Sequence, residues 1–419
     1  MTPAPGALVT LAIDRPAVGG LMIARHDGAI VLVAGAIPGE RVVARIERVQ
    51  RKTIFARTVE VLEASPDRVD ADAGLAGGGQ VLAHVSPARQ AVLKAEMIGD
   101  AFRRLGRVDV GAVPVATGAA DGYRTRARIH VRQGRWGFFA EGTHALCDIA
   151  ATRQLSGGSA AILERLCAAV GARPETAAEV EWAESLDGQR KVAHVAFDRA
   201  VGPHAMAPVE GLDGASWSDD GGSGQAWGDP FVVDTVQSGA VPRAPLRVRH
   251  HVRAFFQGNR FLLQGLVDDV VSRVDGAEVA DLYAGVGLFS VVLAGAGRAV
   301  EAVEGDAFAA ADLQVNAGPT SRVRVQHRPV EAFVRRSRLG AFGTVIVDPP
   351  RTGLSPEVSG ALAGARVPQI VYVSCDAATL ARDVRLFVEA GYGLADVRAH
   401  DLFPRTAHVE IVVTLARAD

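Results

Sequence analysis

Hydrophobic and polar positions alternate over residues 8–63 in the way expected of short, half-buried strands. Turns containing glycine divide this stretch into five predicted strands, 8–13, 21–24, 29–33, 41–49 and 53–63. Five such strands close most simply into a small barrel, a fold that often binds nucleic acid. The pattern therefore predicts a β-barrel domain over residues 1–62.

Residues 63–250 mix helical and strand patterns and predict an α+β central domain. Apolar positions at helical spacing predict an amphipathic helix over residues 87–105, which we expect to pack on the C-terminal part of the chain. Residues 211–229 are rich in Gly and Asp and predict a mobile surface loop.

One predicted strand of the central domain carries basic residues at every second position. These residues are Arg124, Arg126, Arg128, His130 and Arg132. Successive side chains of a strand point to opposite faces, so the basic groups share one face. The stripe predicts contacts with phosphates, although an ordinary half-exposed strand would show the same alternation.

After residue 250, predicted helices alternate with predicted strands at 278–283, 299–304, 323–327, 344–348 and 369–374. This alternation predicts an α/β doubly wound parallel sheet over residues 251–419. The last two strands, 394–402 and 408–416, are separated by a short turn and predict an antiparallel hairpin. Such an ending favours a class I methyltransferase domain over a dinucleotide dehydrogenase.

Composition limits the partners and the compartment. The chain has 419 residues, 48% of them hydrophobic and 22% charged, which suits two or three globular domains. Its formal net charge of -2 means that nucleic acid would have to be bound by local patches. Three cysteines without a C-x-x-C pair predict neither a disulfide framework nor a zinc site. We expect a cytoplasmic protein with no signal peptide and no membrane contact.

A cofactor loop is predicted where the first strand of the C-terminal sheet leads into a helix. Gly285 and Gly287 allow a tight turn close to a ligand, and Glu304 ends the next strand where a ribose would lie. Proteins that bind NAD and S-adenosylmethionine share these features. The loop from Asp348 to Arg351, with two prolines, favours S-adenosylmethionine. Arg351 disfavours an amine methyltransferase, because those enzymes carry an aromatic residue at this position.

Cys375 lies at the end of a predicted strand, and Asp376 is a predicted N-cap of the helix 377–390. We expect the positive end of this helix to lower the pKa of the thiol. Its place at the sheet edge favours a nucleophile over an inert buried cysteine. Glu410, in the sequence His408-Val-Glu410, is the candidate base. The same sequence resembles half of a zinc deaminase signature, but no P-C-x-x-C follows it.

Together, five motifs resemble the RNA uracil-5-methyltransferase family in order and spacing. They are Phe255-Phe-Gln-Gly-Asn259, Asp281-Leu-Tyr-Ala-Gly-Val-Gly287, Asp348-Pro-Pro-Arg351, Val373-Ser-Cys-Asp376 and His408-Val-Glu410. The barrel resembles a TRAM domain, and residues 63–250 resemble the family's central RNA-binding domain. The resemblance implies that S-adenosylmethionine is the cofactor and that Gln257, Tyr283, Glu304 and Asp348 contact it.

The resemblance also implies a mechanism. Carbon 5 of uracil is a poor nucleophile, but addition of the Cys375 thiolate to carbon 6 would make it reactive toward a methyl donor. Glu410 would then remove the proton from carbon 5, which releases the cysteine and leaves 5-methyluridine.

Three departures from the family pattern stand out. Leu288 replaces an asparagine that some members use near the cofactor, and Asp376 stands where asparagine is usual. Many members hold a four-iron cluster through four cysteines. Here Asp70 and residues 76–79 occupy the matching stretch, and only Cys147 remains. One thiol cannot hold such a cluster, so we predict no iron–sulfur cofactor and no other metal.

We expect the partner to be RNA, with ribosomal RNA favoured over transfer RNA by the TRAM-like barrel, and we expect a monomer. Alternatives are an RNA-binding protein that has lost catalysis and an enzyme acting on DNA or on a small molecule. Retention of Cys375 and Glu410 argues against the first, since a binding protein needs neither group. The barrel and the arginine stripe argue against the second.

Overall fold

The first five strands form a closed barrel, which confirms the predicted barrel. The computed structural model describes residues 3–70, 77, 79–140, 145–171, 178–200, 206–239, 245–318 and 322–417. The barrel strands are β1 (Leu8–Pro16), β2 (Met22–His26), β3 (Ala29–Ala34), β4 (Arg41–Gln50) and β5 (Thr53–Glu63). They close in the order β1-β2-β3-β5-β4. Alternate side chains such as Leu11, Val31 and Ile46 fill the interior.

A single helix, α1 (Pro87–Ala101), links the barrel to the C-terminal sheet. The Ser86 hydroxyl caps it, and a π-helical turn (Phe102–Gly106) continues it. The predicted helix 87–105 is therefore α-helical except in its last turn. Leu93 belongs to the barrel core and Ile98 to the C-terminal core, so α1 is shared by both. A two-residue strand, β6 (Val115–Ala116), follows.

The central domain contains a seven-stranded sheet in the order β13-β12-β11-β10-β7-β8-β9. Its elements are β7 (Arg126–Arg132), β8 (Arg135–Phe139), β9 (Leu146–Cys147), a 3-10 turn (Ala150–Thr152), α2 (Gly157–Val170), β10 (Ala178–Glu184), β11 (Lys191–Phe197), β12 (Gly214–Asp219) and β13 (Gly222–Gly228). Trp182 is fully buried in its core, against which α2 packs.

The prediction of a mobile loop over residues 211–229 was wrong, because β12 and β13 form a hairpin there. Trp217 packs into the core of the central domain and holds the hairpin against it. The carboxylate of Asp219 accepts the N–H groups of Gly221 and Gly222 and closes the turn. The sequence showed the turn residues clearly, but the few apolar anchors of these short strands did not stand out among them.

Two further strands lead from the central domain into the C-terminal core. They are β14 (Phe231–Val236) and β15 (Leu246–His251), which pair in antiparallel orientation. Val236 and Val248 belong to the C-terminal core, and Arg249 forms an ion pair with Asp312 at 2.8 Å. Residues from the predicted central range 63–250 therefore pack directly on the C-terminal domain.

The C-terminal sheet has eight strands in the order β18-β17-β16-β19-β20-β22-β21-β6. The strands that follow β15 in the chain are β16 (Glu278–Leu282), β17 (Ala299–Glu304), β18 (Val323–His327), β19 (Thr344–Val347), β20 (Gln369–Ser374), β21 (Tyr392–His400) and β22 (Glu410–Arg417). The helices are α3 (Leu263–Ser272), α4 (Leu288–Gly295), α5 (Ala307–Ala317), α6 (Val330–Val334), α7 (Pro356–Ala365) and α8 (Ala377–Glu389), with a 3-10 turn at Leu339–Ala341.

Strands β16 to β20 are parallel, and β22 lies between β20 and β21, antiparallel to both. This arrangement confirms the predicted doubly wound sheet with an antiparallel ending. The sequence did not predict β6, which adds a parallel edge strand from a distant part of the chain. Within the described ranges, no helix has the length and apolar content needed to cross a membrane.

A buried ion pair secures the exit of the barrel, and its loss should be costly. Arg68 contacts both carboxylate oxygens of Glu40 at 2.6 Å, and the Glu40 side chain is fully buried. Burial alone would raise the pKa of Glu40, but the bonds from Arg68 and from the N–H groups of Ser65 and Ile37 lower it overall. Replacing Arg68 should therefore leave a buried carboxylate without its partner.

We expect Arg68→Met to lower the free energy of unfolding by about 3 kcal/mol at pH 7, measured by denaturant titration. A lowered carboxyl pKa contributes stability that is lost as the pH falls. The difference in the free energy of unfolding between wild type and Arg68→Met should therefore narrow below pH 4.5, the ordinary pKa of glutamate. As a control, Arg41→Met, which breaks the exposed pair with Glu63, should cost less than about 1 kcal/mol. Equal losses in both variants would contradict the assignment.

Candidate active site

The predicted site residues of the C-terminal domain meet at one edge of its sheet. Parallel strands place their carboxyl ends at the same edge, and β22 starts there because it runs the opposite way. In the ladder between β20 and β22, Ser374 pairs with Ile411. Cys375 and Glu410 adjoin this last pair, and Glu410 lies close enough to raise the pKa of the Cys375 thiol. Asp348 follows β19 in the next position along this edge.

The loop after β16 has the backbone of a close-approach turn. Tyr283, Gly285 and Gly287 all have positive φ angles, of 63°, 57° and 88°. A side chain at Gly287 would place its Cβ 2.4 Å from Cδ1 of Leu313, and any other residue would be strained at this φ angle, so the position favours glycine. At Gly285, by contrast, a Cβ would meet nothing within 4 Å, so the backbone there faces open space.

Glu304 braces the glycine loop at the end of β17. Its carboxylate accepts the N–H of Gly285 at 2.7 Å and the N–H of Asp306 at 2.6 Å. The sequence predicted a ribose contact for this residue, and its position beside the loop is compatible with that role. The bonds to the backbone are a second function that the sequence did not reveal.

Carboxyl groups accumulate in this crevice with little positive charge to balance them. Asp281 is fully buried, one of its oxygens accepts the Ser290 hydroxyl at 2.5 Å, and Oδ1 has no hydrogen-bond partner in the described structure. Burial raises the pKa of Asp281 to about 7. Burial, together with Glu410, Asp281 and Glu304, raises the pKa of Asp348 well above its ordinary value. The crevice is therefore suited to a cationic ligand.

Glu410 is the first residue of β22 and only 3% exposed. Burial raises its pKa to about 7, while the guanidinium of Arg351 opposes the shift. A carboxyl group with a pKa near neutrality can accept a proton and release it again at physiological pH, as a general base must.

Cys375 is half-buried at the start of α8. The expectation of a lowered thiol pKa was wrong, because burial, Glu410 and Asp348 raise the pKa of Cys375 to about 11, against the opposing effect of Arg351. The N-terminus of α8 contributes little to stabilising a thiolate, because the carboxylate of Asp376 already accepts the N–H groups of Ala378 and Thr379. Arg351, which hydrogen-bonds to the thiol, is the group that favours thiolate.

The segment around Gln257 is joined to both the C-terminal and the central domain. Gln257 is 6% exposed, whereas Phe255 is 66% exposed. The amide of Asn259 donates to the carbonyl of Leu402 at 2.9 Å, which ties this segment to the loop before β22. The N–H of Thr125 donates to the carbonyl of Gly258 and ties it to the central domain as well.

The arginine stripe is only partly available to a ligand. Arg124 donates to the carbonyl of Arg126 and to Gln154, and Arg126 donates to the carbonyl of Val252 at 2.6 Å. Arg128 is exposed but pairs with Glu181 of β10 at 3.1 Å. The alternation did place these groups on one face. The sequence could not show that carboxylates from the neighbouring strand lie among them, because pairing between strands is not local.

Two residues near the thiol were not singled out from the sequence. Arg351 was used only to disfavour an amine methyltransferase, yet it hydrogen-bonds to Cys375. His408 lies close to Arg351, and burial together with this guanidinium lowers the pKa of His408 to about 4, so the imidazole is neutral. Both residues belong to motifs that reach the carboxyl edge, and that position was the available signal.

Part of the stretch that matches the iron–sulfur ligands, residues 71–76 and 78, lies outside the described residues, whereas Asp70, Gly77 and Gly79 are described. Cys147 is described, and its thiol donates to the carbonyl of Phe138 at 3.2 Å. In the ranges that the structure describes, no group of three or more His, Cys, Asp or Glu side chains could hold a metal ion. The absence of a cluster stays a prediction.

Comparisons with known proteins agree with this arrangement. Residues 237–418 match the profile of the tRNA (Uracil-5-)-methyltransferase family, and residues 5–59 match that of the TRAM domain. The 23S rRNA (uracil(1939)-C(5))-methyltransferase RlmD of Halomonas elongata is 32% identical, with 98% of this chain and 89% of that protein covered. An uncharacterized RNA methyltransferase of Streptomyces avermitilis is also 32% identical, with 96% of each chain covered.

The fold has a counterpart among solved structures. The tRNA (uracil-54, C5)-methyltransferase of Pyrococcus abyssi, in complex with S-adenosyl-L-homocysteine, superposes with a TM-score of 0.73 at 24% identity, covering 97% of this chain and 100% of that chain. The barrel, the doubly wound sheet and the similarity over the whole length lead to one assignment. The chain belongs to the family of S-adenosylmethionine-dependent RNA (uracil-5-)-methyltransferases.

Proposed function

We propose that this protein methylates carbon 5 of a uridine in ribosomal RNA through a covalent adduct with Cys375. The observation that carries the proposal is the placement of the Cys375 thiol close to the Glu410 carboxyl, at the sheet edge where Asp348 and the glycine loop form an acidic crevice. A thiol and a carboxyl group of near-neutral pKa are the nucleophile and the base that this chemistry needs.

In the proposed reaction, the Cys375 sulfur adds to carbon 6 of the uracil and makes carbon 5 nucleophilic. S-adenosylmethionine supplies the methyl group when it is bound. Glu410 then takes the proton from carbon 5, and the electrons of that bond re-form the ring double bond as the sulfur leaves. The Cys375 thiolate that added to carbon 6 is thereby regenerated, and the proton on Glu410 is lost to solvent.

The electrostatics suggest how the thiol becomes reactive only in the loaded enzyme. Glu410 and Asp348 oppose ionisation of Cys375, and Arg351 favours it. A sulfonium in the crevice would offset the two carboxylates and lower the pKa of the thiol. We propose that Asp348, Glu304, Tyr283 and Gln257 hold this cofactor, along the open backbone of Gly285 and Gly287.

Ribosomal RNA is the proposed substrate because the chain carries a TRAM barrel and covers nearly the whole length of the Halomonas relative, which is named for 23S rRNA. Transfer RNA is the second candidate, since the matching Pyrococcus structure is of a transfer RNA enzyme. Of the stripe, we propose that Arg128 and Arg132 contact phosphates, because their side chains are exposed. Arg124 and Arg126 would contribute mainly by holding that surface in place.

The proposal predicts different outcomes for the nucleophile and the base. Wild-type protein should transfer radiolabelled methyl groups from S-adenosylmethionine to a 23S rRNA transcript and form 5-methyluridine. Cys375→Ala should abolish transfer without loss of cofactor binding. Glu410→Gln should lower turnover by about 10²- to 10⁴-fold and accumulate a covalent RNA adduct visible on a denaturing gel. If the label appeared in a transfer RNA transcript instead, transfer RNA would be the substrate. An active Cys375→Ala protein would refute the mechanism.

Arg351 should control the reactivity of the thiol. We expect Arg351→Met to raise the pKa of Cys375 further and to slow its alkylation by iodoacetamide about tenfold at pH 8, followed by peptide mass spectrometry. Arg385→Met removes an exposed guanidinium that pairs with Glu389 on α8, and should leave the rate unchanged. Equal rates in wild type and Arg351→Met would show that the guanidinium does not act on the sulfur.

Cofactor binding should release protons near neutral pH. The pKa values of Asp281 and Glu410 are raised to about 7, and a cation nearby favours their ionised forms. Affinity for S-adenosylmethionine should therefore fall as the pH drops below 7. Calorimetry in buffers of different ionisation enthalpy measures the protons released. S-adenosylhomocysteine lacks the sulfonium charge and should release fewer; equal release from both ligands would contradict this account.

A further inference from the structure

The connection between β21 and β22, here called the 401–409 loop, is held by side chains from distant parts of the chain. It begins at Asp401, directly after His400, and His400 is the ladder partner of Glu410. It ends at Val409, directly before Glu410. The 401–409 loop therefore adjoins both residues of the pair that contains the proposed base.

The strongest of these contacts comes from α1. The ammonium of Lys94 donates to the carboxylate of Asp401 at 2.5 Å and to the carbonyl of Phe403 at 3.1 Å. The Lys94 side chain is 0% exposed and that of Asp401 is 5% exposed. Two buried charges are stable only when they are paired, so the contact fixes the start of the 401–409 loop relative to the helix.

Gln90, one turn earlier on the same face of α1, makes the second contact. Its amide oxygen accepts the N–H of Arg405 at 2.8 Å, and its amide nitrogen donates to the carbonyls of Leu82 and Val85. The N–H of Leu82 in turn donates to the carbonyl of Arg405 at 2.8 Å. The middle of the 401–409 loop is therefore bound to α1 and the residues just before it, and the start of the loop is bound to α1 as well.

The helix that makes these contacts is also a part of the barrel, because Leu93 packs in the barrel core. On the inward face of α1, Gln90 and Lys94 are buried together with Leu93, Met97 and Ile98. Two polar residues at i and i+4 on an otherwise apolar face are costly unless their partners are specific. The chain has only three lysines, Lys52, Lys94 and Lys191, and one of them, Lys94, occupies this buried position.

We propose that Lys94 is a positioning residue for the reaction: its pair with Asp401 holds the 401–409 loop so that the Glu410 carboxyl stays aligned for proton removal. The inference rests on the proposed role of Glu410. The Cys375 thiol does not depend on this loop in the same way, because it follows β20 and its helix is capped by Asp376. Loosening the 401–409 loop therefore impairs proton removal more than addition of the thiol.

The test compares Lys94→Met with wild type in single-turnover and steady-state transfer to the 23S rRNA transcript. We expect the steady-state turnover to fall by between about 10- and 100-fold, as for a small misplacement of a catalytic group. The single-turnover rate of methyl transfer and the KM for S-adenosylmethionine should change less than about twofold. Methylated RNA should remain attached to the protein on a denaturing gel, as in Glu410→Gln.

Arg68→Met is the matched control, since it breaks a buried ion pair in the barrel and should lose stability without accumulating adduct. If Lys94→Met does not fold, Gln90→Leu loosens the same loop at Arg405 and should show the same effect more weakly. An adduct in Glu410→Gln but none in the α1 variants, or a fall in turnover matched by the fall in folded protein, would overturn the positioning role. No adduct in Glu410→Gln would overturn the proposed mechanism instead.

Discussion

The antiparallel insertion of β22 between β20 and β21 is the constraint on which the site depends. In a fully parallel sheet, the end of β20 would lie beside the end of its neighbour, and the start of that neighbour would lie at the far edge. Because β22 runs the opposite way, Ile411 near its start pairs with Ser374, the last residue of β20. Cys375 and Glu410 adjoin this pair, and Glu410 is held in the sheet by its pairing with His400.

The same edge of the sheet brings several carboxyl groups close together, where their charged forms are unfavourable. Asp281, Asp348 and Glu410 all have raised pKa values because burial and mutual repulsion disfavour their charged forms. A positively charged ligand would favour the charged forms of these carboxyls and so offset the repulsion between them. The raised pKa of Cys375 has the same origin. In the proposed mechanism, one cation would therefore favour ionisation of both the carboxyls and the thiol, which would link cofactor binding to formation of the nucleophile.

Much of this could be predicted from the sequence, because the patterns concerned are local. Alternation predicted the barrel, the helix–strand repeat predicted the doubly wound sheet, and the ends of strands located Cys375 and Glu410. The failures depended on distant contacts. The direction of the Cys375 pKa shift depended on carboxyls elsewhere in the chain, and the availability of Arg128 depended on Glu181 of another strand. Strand β6 is too short to show any period.

The helix α1 shows why the barrel and the C-terminal domain form one working unit. Its hydrophobic side chains enter both cores, and two of its buried polar side chains, Gln90 and Lys94, contact the loop that leads to Glu410. The barrel is therefore connected to the 401–409 loop through a helix that packs in both cores. In the proposed mechanism, the barrel and the base thus share one set of contacts, in which the buried pair of Lys94 and Asp401 is the link to the loop that leads to Glu410.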